Sequence, residues 1–137
     1  MTLLHTEVAV VGGGMVGGAL ALGLAQQGFE VTVIEQAAPP AFDPASKPDV
    51  RISAISAASV DLLRGLGVWE AVLAMRAHPY SRLETWEWEN AHVAFDAAEL
   101  KLPRLGYMVE NNVLQQELCL ALQEHPKMPL RVPAASK

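Results

Sequence analysis

The sequence predicts an α/β fold: a parallel strand–helix–strand unit, a short antiparallel β excursion, then a return to helix and strand. Three observations carry this. First, Val8-Ala-Val-Val11 and Val31-Thr-Val-Ile-Glu35 are short β-branched runs of the kind that form interior strands. Second, Gly12-Gly13-Gly14-Met15-Val16-Gly17 and an uncharged apolar run to Ala25 lie between them, which is a glycine turn feeding a helix. Third, alternating and helix-periodic segments recur farther along, so the period switches between 2 and 3.6 as it does in mixed folds.

Taken in order, the first strand is expected over Glu7 to Val11, fully buried, and the helix over Met15 to Gln27. Gly28 ends that helix, Ala21 is the small residue where it meets the sheet, and the second strand runs from Glu30 to Ile34. Gln36 to Asp49 holds Pro39, Pro40, Pro44 and Pro48 without apolar periodicity, which reads as an exposed loop. Arg51-Ile-Ser-Ala-Ile-Ser56 leads into a helix from Ala57 to Leu66, where Val60, Leu63 and Leu66 recur at a helical interval. Trp69 to Met75 is a further short helix, broken by His78-Pro79-Tyr80. Arg82 to Glu89 alternates as a strand, with Leu83, Thr85 and Glu87 on one face and Glu84, Trp86 and Trp88 on the other. His92 to Phe95 is its partner, and Gly106 to Val109 is another short strand. Asn111 or Asn112 N-caps the next helix, which buries Leu114, Leu118 and Ala121, and Leu130-Arg-Val132 begins a last strand.

Composition narrows the class. Hydrophobic residues make up 51% of the chain, too many for a disordered segment. Ten basic against fifteen acidic residues give a net charge of −5, which argues against a nucleic-acid surface. The four histidines are scattered, without metal-ligand spacing, and no metal site is expected. The single cysteine, Cys119, has no internal disulfide partner and sits in an apolar helical pattern, so it reads as a buried filler in a reducing cytoplasm. Val8 to Ala25 carries no charge over 18 residues, the threshold for a membrane span, but its six glycines and β-type start argue against one. No basic residue precedes it, so no secretory signal is expected either.

The glycine turn has the order of a dinucleotide-binding fingerprint, and each part has a physical task. Gly12 allows the tight turn out of the first strand. Gly14, without a side chain, lets the backbone approach a pyrophosphate. Gly17 lets the helix pack closely. The helix N-terminus offers free N–H groups and partial positive charge to phosphates. Glu35 lies 18 residues beyond Gly17, at the end of the second strand, where a carboxylate accepts hydrogen bonds from ribose hydroxyls. The residues alone leave three readings open: a flavin or other dinucleotide site, an NAD-dependent dehydrogenase domain, or a non-catalytic nucleotide-binding or interaction module. A Rossmann-type sheet needs more strands than this chain provides.

Further stretches carry a resemblance. The fingerprint, Asp49-Val-Arg51-Ile-Ser-Ala-Ile-Ser-Ala-Ala-Ser59, Leu66-Gly-Val-Trp69 and Tyr107-Met-Val-Glu-Asn-Asn112 resemble the ubiquinone-biosynthesis hydroxylases. These are class A FAD-dependent aromatic monooxygenases with a para-hydroxybenzoate-hydroxylase-like fold. Arg82-Leu-Glu-Thr-Trp-Glu-Trp-Glu89 and Phe95-Asp-Ala-Ala-Glu-Leu-Lys-Leu-Pro103 resemble one branch of that family. The resemblance covers about residues 5 to 133 and implies FAD as the dinucleotide and NAD(P)H as the reductant. It also implies ring hydroxylation of a polyprenyl benzoquinol through a flavin C4a-hydroperoxide.

Residue by residue, it implies that Gly12, Gly14 and Gly17 are the phosphate-turn glycines, and that Met15 and Val16 lend backbone N–H groups to the pyrophosphate. It makes Glu35 the ribose carboxylate and Arg51 the arginine reaching the flavin side; the plain alternative is a surface arginine after a Pro-rich loop. Asn111 stands where relatives place Gln or Arg facing the ribityl chain, or is simply a helix cap. Trp86 and Trp88 line the quinone side or are ordinary packing residues. No catalytic residue is assigned. The second FAD motif of the family, Gly-Asp-Ala-Ala-His, does not occur. Residues 1–137 are therefore expected to be the N-terminal part of an incomplete FAD-binding domain, with about 80–108 belonging to the substrate-domain sheet. Such a piece is expected to be inactive alone and to self-associate through open strand edges. The parent is expected in the cytoplasm, with peripheral inner-membrane association, near its quinol substrate and other ubiquinone-biosynthesis proteins.

Overall fold

The computed structural model describes residues 3, 5–126 and 130–133. The predicted parallel unit is present: β1 (Val8–Val11), α1 (Met15–Gln26) and β2 (Val31–Glu35). β1 and β2 pair in parallel with Val8 opposite Val31 and Val11 opposite Ile34. The last strand, β8 (Leu130–Pro133), pairs in parallel with the other edge of β2, so the order is β1-β2-β8. β2 is thus central and buries Val31 and Val33. β1 is an edge strand: Val10 is buried, but Val11 is 81% exposed. The expectation of a fully buried first strand is corrected: burial alternates along it, with Ala9 and Val11 exposed on the face opposite Val10, so among the described residues only one face of the strand is covered.

α1 lies close to the rest because its inward residues are small. Ala21 and Ala25 are fully buried beside Leu22. A Cβ at Gly18 would stand 3.3 Å from Leu118 Cβ on α4 (Asn111–Glu124), so the two helices meet at near-backbone distance. α4 buries Val113, Leu114, Leu118 and Leu122. The predicted face is therefore right at two positions, and Leu122 rather than Ala121 is the fully buried residue at its far end. Each such aliphatic side chain contributes roughly 1.5–3 kcal/mol on burial.

A second sheet is antiparallel, in the order β3 (Ile52–Ser56), β7 (Gly106–Glu110), β4 (Ala77–Tyr80). Two of its strands are absent from the sequence reading. In β3, Ile52 and Ile55 fall on opposite faces, so the period-two signal is lost. No turn follows it either, since Ser56 N-caps α2 (Ala57–Gly65) directly, its Oγ accepting from the Ser59 amide at 3.3 Å. His78-Pro79-Tyr80 reads as a break, yet it forms β4. Among the described residues this strand pairs only with β7, and a proline at a sheet edge loses no ladder bond if its nitrogen faces outward. Between these strands α3 (Trp69–Met75) forms as predicted and buries Trp69 and Val72 completely.

β5 (Arg82–Glu87) and β6 (Ala91–Asp96) form a separate hairpin, Leu83 opposite Phe95 and Trp86 opposite His92; the strand stops two residues short of the expected Glu89, and Trp88 lies in the turn at φ 61°, off the face assigned to it with Glu84 and Trp86. Arg82 ties its base to Glu84 and, at 3.2 Å, to Asp96. These contacts hold both carboxyls below the ordinary range: for Glu84 the Arg82 hydrogen bond dominates, and for Asp96 the Ala98 amide comes first. Trp86 and Trp88 are 70% and 84% exposed, so neither is a packing residue of this fold.

Candidate dinucleotide site at the glycine turn

The turn is built by backbone constraint. Gly12 takes φ +97°, where a side chain is strained, and its amide donates to Ile34 O at 2.8 Å, binding the turn to β2. A Cβ at Gly17 would sit 1.9 Å from Gly12 O, so α1 can start here only with glycine at that position. Gly17 therefore serves close packing, chiefly against the turn itself and then against Val10. Gly14 is different. It is the N-cap of α1, and a Cβ there meets nothing within 4 Å. The space above it is open.

The start of α1 carries no side-chain cap and no acidic residue in its first turn. The first intrahelical bond runs from the Gly18 amide to Gly14 O at 2.8 Å. The amides of Met15, Val16 and Gly17 precede it and are the orphan donors of a helix N-terminus, suited to an anion. The Glu35 carboxylate stands beside them. Its Oε2 accepts from the Gly13 amide at 2.6 Å and its Oε1 from the Gln36 amide at 2.7 Å. A cleft of about 620 Å³ runs along β1 and the start of α1, lined by Val11, Gly12, Gly14, Val16, Gly17 and Leu20 among others, and Glu35 is not part of its lining.

α4 brings the remaining candidates in. Gln115 Nε2 donates to Gly13 O at 3.4 Å, and Asn111 lies one turn earlier on the same face. Neither asparagine is the N-cap. Glu110 holds that position, because β7 runs directly into the helix, and both asparagines fall in the first turn. Asn112 Oδ1 accepts from the Val113 amide at 2.8 Å, whereas Asn111 Oδ1 accepts from Ser53 Oγ at 2.6 Å. Ser53 also lines an apolar groove of about 600 Å³ that runs along α1 from Met15 and Val16. The Asn111 amide donates to Arg51 O at 2.9 Å, so Arg51 is anchored next to Asn111. Its exposed side chain makes no hydrogen bond or ion pair among the described residues. The structure thus joins the glycines, Met15, Val16 and Glu35 at one turn, and Asn111 and Arg51 beside each other at the head of α4.

Sequence reasoning missed Ser53, Gln115, Arg76 and Glu110. Glu110 is 5% exposed and Arg76 lies 3.1 Å from it. The one available signal was a carboxylate closing an apolar strand, with nothing local to name its partner. Among the described residues no cluster of metal-ligating side chains occurs and no helix is long and apolar enough to cross a membrane. Cys119 is half-buried, with Gln123 Nε2 3.7 Å from its sulfur.

A strand–glycine turn–helix with an uncapped helix start and a carboxylate over the turn defines a dinucleotide-binding chain, and residues 5–132 match the FAD binding domain family. The chain belongs to that family, and FAD is the cofactor its glycine turn and Glu35 fit. Among its relatives, 3-demethoxyubiquinol 3-hydroxylase of Escherichia coli K12 is 75% identical over 135 residues, 98% of this chain and 34% of that protein. The ubiquinone hydroxylase UbiL of Rhodospirillum rubrum is 36% identical over 93% of this chain and 29% of its own length. The chain therefore spans about a third of the length of these relatives. The fold matches p-nitrophenol 4-monooxygenase PnpA of Pseudomonas putida, with TM-score 0.68 and 22% identity over 97% of this chain and 33% of that one. It also matches the flavin-dependent monooxygenase PieE, with TM-score 0.66 and 19% identity over 97% and 24%. The fold class is α/β and is that of the class A FAD-dependent monooxygenases.

Proposed function

We propose that this chain supplies the adenosine and pyrophosphate half of the FAD site in a monooxygenase that hydroxylates the ring of a polyprenyl benzoquinol in ubiquinone biosynthesis. The observation that carries the reading is the Glu35 carboxylate fixed on the Gly13 amide beside an uncapped α1, in a chain 75% identical to a demethoxyubiquinol hydroxylase. FAD, reduced by NAD(P)H, supplies the oxygen-activating chemistry when bound. The chain's own residues do the holding. The amides of Met15, Val16 and Gly17 face the pyrophosphate, Gly12 and Gly14 keep the turn open to it, and Glu35 takes the ribose. Arg51 and Asn111 reach toward the flavin side. The hairpin of β5 and β6 joins the substrate-domain sheet of the parent, which meets its prenylated substrate at the inner-membrane surface.

Titration of the chain with ADP, FAD and NADH tests this. ADP and FAD compete for one site, NADH, which shares their ADP half, competes more weakly than FAD, and the chain alone oxidises no NAD(P)H. Tight NADH binding without competition by FAD would instead make it a dehydrogenase domain. A second role is favoured by the open edge of β1, where Val11 is exposed: self-association of this chain, read by sedimentation as dimers that grow with concentration.

A further inference from the structure

The loop from Gln36 to Asp49 has no regular structure; Gln116 accepts from its Phe42 amide, and Arg76 gathers the stretch that follows. Arg76, the residue that caps α3, is 26% exposed in its side chain. Its Nη2 donates to three loop carbonyls, Ser46 at 3.0 Å, Pro44 at 3.4 Å and Asp43 at 3.5 Å. Its guanidinium lies 5.0 Å from the Phe42 ring centroid. Its Nη1 hydrogen-bonds Glu110 Oε1 at 3.4 Å and lies 3.1 Å from Oε2; that second contact is ionic, off the N–H axis, and Oε2 accepts no hydrogen bond.

Glu110 passes this order on to Arg51. Its Oε1 accepts from the Asp49 amide at 2.7 Å. Asp49 Oδ1 then accepts from the Arg51 amide at 2.9 Å, and Arg51 O accepts from the Asn111 amide at 2.9 Å. Arg51 is therefore held by its backbone on both sides while its side chain extends outward. We propose that Arg76, through Glu110 and Asp49, is the positioning residue that sets the backbone from which Arg51 reaches the flavin half of FAD. This rests on the FAD reading above. A guanidinium suits the task because its planar fork bonds a carboxylate and several carbonyls at once, which an ammonium does not reproduce.

The test compares FAD with ADP, which lacks the flavin half, on the full 137-residue chain. Arg51→Met is the reference and lowers FAD affinity about tenfold, the weight of one charged hydrogen bond, without changing ADP affinity. The variant carrying both Arg76→Met and Glu110→Gln, which leaves no unpaired buried charge, gives the same selective loss. It adds nothing further in the Arg51→Met background. Arg76→Lys, the milder change, falls between. Amide exchange speeds up at Asp49 and Arg51 in the Arg76 variants but not in Arg51→Met. The proposal is overturned where Arg51→Met changes the FAD-to-ADP ratio but the Arg76 variants leave it alone, or where they weaken ADP and FAD equally. Should wild type bind ADP and FAD equally and Arg51→Met be silent, the flavin reading itself falls, and the proposal with it.

Discussion

Glu35 Oε2 accepts a 2.6 Å hydrogen bond from the Gly13 amide, joining the end of β2 to the turn after β1. The carboxylate thus closes the turn, and the ribose role proposed for it makes a prediction. Glu35→Gln keeps a single acceptor oxygen, so one of the two amides at Gly13 and Gln36 loses its partner. The expected cost is about 1–2 kcal/mol in urea unfolding. ADP affinity falls about tenfold or more with the loss of the charged acceptor. Unchanged ADP binding by Glu35→Gln would remove Glu35 from the site.

The glycines of the turn separate stability from binding. Gly17→Ala places a methyl group where Gly12 O stands 1.9 Å away, so the turn or α1 must move, at about 3 kcal/mol or more. Gly14→Ala meets no atom within 4 Å and keeps an allowed φ of −74°, so stability changes by about 1 kcal/mol or less, the difference between these residues at an N-cap. Its methyl group enters the space assigned to the pyrophosphate, so ADP and FAD binding are lost from a folded protein. Thermal denaturation with a nucleotide titration reads both. A Gly14→Ala variant that binds normally would move the pyrophosphate elsewhere.

These contrasts explain what was legible in the sequence. The β1-α1-β2 unit was readable because its determinants are local: a β-branched run, a glycine at a positive φ, a carboxylate at a strand end. α3 was readable for the same reason. β3 and β4 were not, because their strand character comes from pairing with β7, more than twenty residues away in sequence. The spacing that pointed to Gly12, Gly14, Gly17 and Glu35 is local too, and the structure brings those residues together at one turn. The Arg76–Glu110 pair spans 34 residues and has no periodic signature, so it was invisible in the sequence. The Asn111 cap was misread because β7 leads straight into α4, making Glu110 the cap.

Glu117 gives a pH signature. Partial burial raises its pKa, with a smaller contribution from the charge on Glu124. Its folded-state pKa lies above the unfolded value, so its stabilising contribution is complete below the ordinary carboxylate range and is lost as pH rises through the raised value. Glu117→Gln removes this dependence. The variant is therefore more stable than wild type at neutral pH, and the gap closes as pH falls below the ordinary carboxylate range. Urea midpoints across that interval measure it; a gap that widens in acid would contradict the assigned direction.

The three tryptophans report the two environments of the fold separately. Trp69 is fully buried and meets the Tyr107 ring edge-on, with centroids 5.0 Å apart. Trp69→Ala opens a cavity beneath α3 and costs about 3–5 kcal/mol. Trp86 and Trp88 stand on the hairpin, and Trp88 holds φ 61°, which a bulky residue adopts only under strain. Replacing both with Phe leaves stability within about 0.5 kcal/mol, as for other exposed positions. It also removes the long-wavelength emission that acrylamide quenches. Trp88→Asn, whose side chain tolerates the left-handed region, stabilises the hairpin by about 1 kcal/mol, seen as slower amide exchange across β5 and β6. Exchange that quickens in this variant would mean that Trp88 packs against something and is not merely strained.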